Sequence, residues 1–235
     1  MNDLPDDIDL ALRSVHDRAQ HLRAALAFQL PLLAGRAALV WWAHGAYETR
    51  WGLDASRLRD AEETWSAALL CGFVATALTG LAFVRWTASL YEAAPSLRPG
   101  ALRHTARSAW AFFAPIAQLW KPYAMISELH RTLSPHTLAA ADGRDTSKEG
   151  TFPDAPVGAW WALWVGAGFV SLAGALLTDR SYRTTLPTNA YSELAATAML
   201  LVAALLARRV VRLVTERAVE RAVRIAAAPP PMSFA

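Results

Sequence analysis

The residues of this chain best placed to do chemistry are three polar side chains inside its first apolar stretch. Gln29, Arg36 and His44 are 7 and 8 residues apart, a spacing that puts them on one face of an α-helix. A charged residue at the centre of a membrane helix costs on the order of 2.5–3.5 kcal/mol, so it should face protein or water. These residues predict an intramembrane polar seam, which could line an ion or solute path or bind a lipid headgroup.

The polar seam (Gln29, Arg36 and His44) also has a structural interpretation. Arg36 could bond backbone carbonyls left open by Pro31, or a neighbouring span. The acidic residues nearest to it in other stretches, Asp179 and Glu193, lie near the outer ends of their spans. We therefore expect them to be too shallow to pair with Arg36. Since no matching carboxylate is evident, the sequence favours the structural interpretation and leaves the path open as the alternative.

Four long apolar stretches must position this seam. They cover residues 23–46, 64–84, 160–177 and 191–207. About 20 apolar residues of α-helix cross a hydrocarbon core about 30 Å thick. Hydrophobic residues make up 54% of the chain and charged residues only 18%, against about 25% charged in soluble domains. The sequence predicts an all-α integral membrane protein, a four-helix bundle over residues 23–210.

The distribution of Lys and Arg predicts the orientation. Seventeen basic residues fall before the first span, in the connection 85–159 or in the tail, and five fall in the loops 48–63 and 178–190. The positive-inside rule then puts both termini in the cytoplasm. The first twenty residues lack a basic region followed by an apolar core, so we expect the first span to direct insertion. Of the 23 basic residues, 21 are Arg, a bias that favours a bacterial source. Together with the four spans, it leads us to expect a multi-pass protein of a bacterial cytoplasmic (inner) membrane.

A shorter aromatic stretch, residues 108–125, lies between the second and third spans. It is interrupted by Pro115, Gln118, Lys121 and Pro122. Such a stretch is typical of a re-entrant or interfacial element, with Trp110 and Trp120 near the headgroups and the Lys121 ammonium reaching water. If it spanned the bilayer, the chain would cross five times and the Arg-rich tail would lie outside.

A second candidate site surrounds this element. Its charged members are Arg85, Lys121, Glu128, His130 and Arg131. They could form a basic pocket at the inner leaflet for an anionic lipid or a phosphorylated ligand. In the alternative, which the sequence favours, Glu128 pairs with Arg131 at i, i+3. The positive-inside bias then explains the other cations.

Amphipathic helices are predicted at both ends of the chain. Residues 1–22 and the basic segment 211–235, whose end is Pro-rich, each carry an apolar stripe. The stripes are Ile8, Leu12, Val15, Ala19 and Leu22, and Val211, Val214, Ala218, Ala222 and Ile225. Both suit mutual packing, a partner helix or the membrane surface, and mutual packing is favoured. Residues 134–156 lack periodicity and predict a flexible loop.

Small residues form two ridges in the apolar stretches. The ridges are Gly72, Thr76 and Gly80 in the second span, and Gly158, Ala162 and Gly166 in the third. Small side chains four residues apart allow close helix approach in lipid. Packing inside the bundle is the default expectation, and homo-oligomerisation is the alternative.

Catalytic motifs are missing from the sequence. It has no Gly-rich phosphate loop, no His-x-x-x-His pair and no Gly-x-Ser-x-Gly elbow, which are the usual signatures of nucleotide, metal and acyl-transfer sites. Its single cysteine, Cys71, cannot form an internal disulfide. We therefore expect no enzyme activity, no metal and no cofactor. The positive-inside bias explains the Arg residues of the tail, so we expect no nucleic-acid binding.

The middle of the chain resembles a bacterial membrane family, domain of unknown function 4328, over most of residues 22–210. The residues that carry the resemblance are Arg85, Trp110 with Pro115, Lys121 with Pro122, Glu128 with Arg131, and Trp160 with Trp161. The resemblance implies a four-span domain with an inner-face basic and aromatic element, to which Trp120 also belongs. It implies no activity.

Two classes of function remain. The favoured one is a non-enzymatic membrane anchor or accessory scaffold subunit of a larger membrane assembly, which binds a partner through its cytoplasmic helices and inner-face aromatic element. Other membrane subunits are the expected partners, and a homo-oligomer is the alternative. The alternative is a small channel or transporter with its path at Arg36. A protein that binds or modifies inner-leaflet lipid is a distant third, although anionic inner-leaflet lipids are expected partners of any such chain.

Overall fold

The computed structural model describes residues 6–48, 55–97, 102–114, 116–133, 155–177 and 185–227. Within these ranges the chain is helical and contains no strand. The α-helices are α1 (Asp6–Glu48), α2 (Ala55–Leu97), α3 (Lys121–Thr132), α4 (Ala155–Leu177) and α5 (Thr185–Ala227). Two 3₁₀ segments, Ala106–Phe113 and Ala117–Leu119, precede α3. The predicted all-α class is confirmed.

Among the described residues, four helices are long and apolar enough to cross a membrane. The candidate spans lie in α1, α2, α4 and α5, at Asp9–Trp42, Leu70–Leu97, Pro156–Leu176 and Ala190–Ile225. Helices α1, α2 and α5 have 43 residues each, about 65 Å at 1.5 Å per residue. They extend well beyond the predicted spans because hydropathy detects only the apolar part of a helix, whereas its amphipathic continuation is helical too.

The chain divides into two compact units. One, here the terminal unit, comprises Met1–Arg23, Ala82–Val157 and Arg209–Ala235; the other, the span unit, comprises Ala24–Leu81 and Gly158–Arg208. The span unit contains most of the four apolar stretches, and the terminal unit contains the predicted amphipathic ends and the aromatic connection.

The surface of the span unit is apolar. Large exposed side chains include Phe73, Leu78, Phe169, Leu172 and Leu176. In lipid such side chains need no burial, and helix association depends on close packing. At Gly166 of α4 a Cβ would lie 2.7 Å from Met199 Cε of α5, so α5 lies close to α4 at this position, whereas Ala162 of the same ridge is exposed. A Cβ at Gly72 of α2 would meet nothing within 4 Å.

Both predicted apolar stripes contribute to the core of the terminal unit. Leu12, Val15, Ala19, Leu22, Val211, Val214, Ala218 and Ala222 are all buried. Trp86 of α2 is fully buried as well, and its indole N–H donates to Thr215 Oγ1 of α5 at 3.2 Å, as a buried indole requires. Most of the stripe residues are therefore covered within the chain itself. The Ile8 side chain and residues 134–154 lie outside the described part.

The aromatic stretch 108–125 is not one helix. It consists of the two 3₁₀ segments followed by the first residues of α3. Pro122 lies in the first turn of α3, where its missing N–H costs no hydrogen bond, so the α-helix starts there rather than continuing through it. Residue 115 is not among the described residues.

Candidate functional site

The polar seam of α1 meets a carboxylate in the span unit. The Arg36 guanidinium is ion-paired with the Glu193 carboxylate of α5, and the Ser171 hydroxyl of α4 donates to the same carboxylate. Glu193 is buried. The expectation that Glu193 is too shallow to pair with Arg36 is wrong: Glu193 lies near the start of the candidate span Ala190–Ile225, and the long Arg36 side chain reaches its carboxylate.

The other two seam residues also contact neighbouring helices. Gln29 Nε2 donates to Thr76 Oγ1 of α2 at 3.2 Å. The buried His44 ring meets the edge of Tyr191 of α5, with 5.1 Å between ring centroids. The seam is therefore a set of contacts that bind α1 to the rest of the span unit.

One donor of the seam has no use in the described part of the chain. Arg36 Nε is buried and has no hydrogen-bond partner there. An unused buried donor is costly, and a guanidinium with one free N–H could bind an anion.

The strongest polar cluster of the terminal unit is centred on Glu128 of α3. Its carboxylate accepts hydrogen bonds from the Arg103 backbone N–H at 2.5 Å, from His104 Nδ1 at 2.7 Å and from the Tyr91 hydroxyl at 2.7 Å. Burial alone would raise the pKa of the Glu128 carboxyl, but these donors outweigh it and the pKa lies below its ordinary value. Glu128 thus ties α2 and the chain before the first 3₁₀ segment to α3.

This cluster differs from the pair predicted by sequence. The groups that lower the pKa of Glu128 are Arg103, His104 and Tyr91, not the Arg131 expected at i, i+3. These partners lie 24 to 37 residues away in the sequence, so no local spacing could reveal them.

The cations of the predicted basic pocket differ in their exposure. Arg85 and Arg131 are exposed and Lys121 is half-buried. The Arg85 carbonyl accepts a hydrogen bond from Arg18 Nη1 at 3.3 Å, and Arg18 also lies 3.6 Å from the Glu92 carboxylate. Among the other predicted residues of the inner-face basic and aromatic element, Trp110 and Trp120 are exposed and Pro122 is buried.

Two arginines of α5 have a role that sequence reasoning assigned only to topology. Arg217 Nη1 donates to the His130 carbonyl, and Arg221 Nε to the Leu97 carbonyl, each at 3.4 Å. These carbonyls belong to the last turns of α3 and α2, where carbonyls lack helical partners. The available signal was the i, i+4 spacing of Arg217 and Arg221, which puts both on one face of α5.

The terminal unit also contains a cavity of about 350 Å³ between α1 and α5. Its polar lining consists of His16, Gln20, Arg23, Arg212, Glu216 and Glu220, with Thr215. Arg212 pairs with Glu216 and Arg224 with Glu220, so the charges on the α5 side are largely matched within that helix. Within the described ranges, no group of three or more His, Cys, Asp or Glu residues could hold a metal ion.

Helical spans joined by buried polar contacts define a multi-span helical membrane protein. A family model for a domain of unknown function (DUF4328) matches residues 50–216, and the chain belongs to that family. The match covers α2 through most of α5 and leaves α1 outside. No curated protein and no solved structure matches the chain.

Proposed function

We propose that this protein is a non-enzymatic anchor or accessory scaffold subunit of a larger assembly in the bacterial inner membrane. The observation that carries the proposal is the Glu193 carboxylate, which joins α1, α4 and α5 through Arg36 and Ser171. Polar groups at membrane depth usually mark ion paths or helix contacts, and here they are used in helix contacts. Such a bundle suits a platform that holds partners.

Native mass spectrometry of the full chain, extracted gently from its own membrane, tests this role. The anchor proposal expects a partner protein at fixed stoichiometry. A bare monomer, or a homo-oligomer that retains only lipid or a small ligand, would contradict it.

The proposal includes cytoplasmic termini, supported by the bias of basic residues toward the connection 85–159 and the tail. A reporter fused after Ile225 should report a cytoplasmic location, with a fusion in the loop 178–190 as the opposite control. A periplasmic signal after Ile225 would overturn the four-span topology.

The unused Arg36 Nε supports a second candidate, a small channel or transporter for anions. Its test is flux through proteoliposomes containing the wild type or an Arg36→Leu, Glu193→Leu double variant, which removes the pair without stranding a charge. A path at Arg36 predicts a folded variant that has lost conductance or selectivity. Equal flux from the wild type and empty liposomes would exclude this candidate for the anions tested.

A further inference from the structure

The aromatic segment, here residues 106–114 and 116–120, exposes large apolar side chains. Trp110, Phe113, Ile116 and Leu119 are 56%, 50%, 71% and 43% exposed. Trp110 and Phe113 lie three residues apart in the first 3₁₀ segment and share one side of it, with 6.2 Å between ring centroids. This segment ends in extended backbone at Ala114, and Ile116, Leu119 and Trp120, 52% exposed, follow it. Together the exposed apolar side chains are called the apolar face of the segment.

The opposite side of the segment is fixed to the terminal unit. Ala109 and Phe112 are buried, and the Phe112 ring packs against Phe83 of α2 with 5.9 Å between centroids. Arg103 and His104, directly before the segment, are held by Glu128. The segment is anchored on one side, while its apolar face is uncovered by the described part of the chain.

The charges beside this face have one sign. Arg107 lies three residues before Trp110, so it begins the same face and is exposed. Lys121 directly follows Trp120, and no Asp or Glu occurs between Arg103 and Ser127. An apolar face with cations at both ends is complementary to the boundary between acyl chains and anionic headgroups, where Trp rings also partition favourably.

We propose that this face of the aromatic segment inserts into the headgroup boundary of an anionic lipid leaflet. The same chain carries four helices able to cross a membrane. An acidic protein surface could match the cations too, but the outward Trp and Phe rings at 3₁₀ spacing suit a fluid lipid boundary, which requires no shaped pocket. The inference does not depend on the anchor role.

Depth-sensitive spin labels on the full-length chain test the proposal. In a Cys71→Ser background, which removes the single cysteine, labels are attached through Phe113→Cys or Ile116→Cys. Arg131→Cys, exposed on α3, is the matched control. In nanodiscs containing phosphatidylglycerol, both face positions should be more accessible to oxygen than to a water-soluble nickel complex, and the control should show the reverse.

The second part of the test varies the charge of the lipid and of the cations beside the face. In discs of phosphatidylcholine alone, the ratio of oxygen to nickel accessibility at Phe113→Cys and Ile116→Cys should fall. An Arg107→Gln, Lys121→Gln double substitution should produce the same fall in the phosphatidylglycerol discs. Higher nickel than oxygen accessibility at both face positions would show a face in water, and exclusion of both reagents would show a face covered by protein; either result overturns the proposal.

Quenching of Trp fluorescence tests the proposal without the labelled variants, in case these misfold. It uses substitutions that keep every residue of the face apolar. Brominated phosphatidylglycerol should quench a smaller share of the Trp fluorescence in a Trp110→Phe, Trp120→Phe variant than in the wild type. A share that stays unchanged or rises would mean that these two indoles reach lipid no more than the other eight Trp side chains do, and it too would overturn the proposal.

Discussion

Arg36 of α1 and Glu193 of α5 form an ion pair within the apolar stretches of both helices. Ser171 of α4 donates to the same carboxylate, so one acidic side chain joins three helices of the span unit. A buried ion pair is weak as a source of net stability, but the loss of one partner leaves an uncompensated charge.

We therefore expect Arg36→Leu to destabilise the protein by about 3–5 kcal/mol, because Glu193 remains buried and loses its cation. The double substitution Arg36→Leu, Glu193→Leu should recover most of that loss. Unfolding in detergent, followed by far-UV circular dichroism, measures both, with the exposed Arg13→Leu as the control. If the double variant is no more stable than Arg36→Leu, the two residues are not energetically coupled.

Glu128→Gln should destabilise the terminal unit by about 2 kcal/mol, since an amide accepts hydrogen bonds less strongly than the carboxylate that Arg103, His104 and Tyr91 now contact. Hydrogen exchange of the first 3₁₀ segment should also become faster, because Arg103 and His104 hold its start. Glu92→Gln, in the looser pair with Arg18, is the matched control. Equal effects from the two substitutions would remove the special role of Glu128.

The pKa of Glu128 predicts a pH dependence. Its pKa in the folded state lies below the ordinary value, which is about 4.3 in an unfolded chain. The resulting stabilisation is complete above that ordinary pKa and is lost as the pH falls through the lower, folded pKa. Unfolding of the wild type between neutral and acidic pH should show a loss of stability that Glu128→Gln lacks, and parallel profiles would contradict the assignment.

Arg217→Gln and Arg221→Gln should each cost about 0.3–1 kcal/mol, the range for a cation at a helix C-terminus. The expected local signature is faster hydrogen exchange in the last turn of α3 for Arg217→Gln and of α2 for Arg221→Gln. Arg212→Gln, whose side chain pairs only within α5 in the described contacts, should change neither turn. Identical exchange maps for all three variants would show that the two hydrogen bonds do not stabilise these helix ends.

The two small-residue ridges should respond differently to enlargement. Gly166→Leu should destabilise the bundle by roughly 1–3 kcal/mol, because Met199 occupies the space beside it. Gly72→Leu meets no neighbour at its Cβ and should leave unfolding unchanged. Size-exclusion chromatography with light scattering adds a readout of assembly, since a smaller particle for Gly72→Leu would assign that ridge to self-association.

The four membrane helices could be predicted from sequence because a helix of about 20 apolar residues matches the thickness of the hydrocarbon core. The outer parts of α1 and α5 were predicted too, as amphipathic helices over residues 1–22 and 211–235. The extension of α2 beyond residues 64–84 was not predicted, because its ends lack a long apolar run. The buried stripe residues Val15 and Val214 were found by helical periodicity, which marks a covered face but does not identify what covers it.

The polar contacts were harder to predict. Arg36 stood out because a charge in an apolar stretch is conspicuous, yet its partner was rejected because Glu193 lies near the outer end of its span, and the reach of the long Arg side chain was not considered. His104 and Tyr91 gave no signal, because nothing in a sequence relates them to Glu128 before the chain folds. The aromatic segment was recognised from its length and its two prolines, which do not reveal that Ala106–Phe113 forms a 3₁₀-helix.

The first 3₁₀ segment, Ala106–Phe113, is unusually sensitive to chain length. Each residue of a 3₁₀-helix advances by about 120°, so a single deletion between Ala109 and Phe112 would turn the buried Phe112 and the exposed Phe113 away from their present sides. Loss of a whole turn of three residues would restore the direction of those that remain. Length changes within this segment should therefore be tolerated in steps of three, a rule that neither α-helices nor ordinary loops obey.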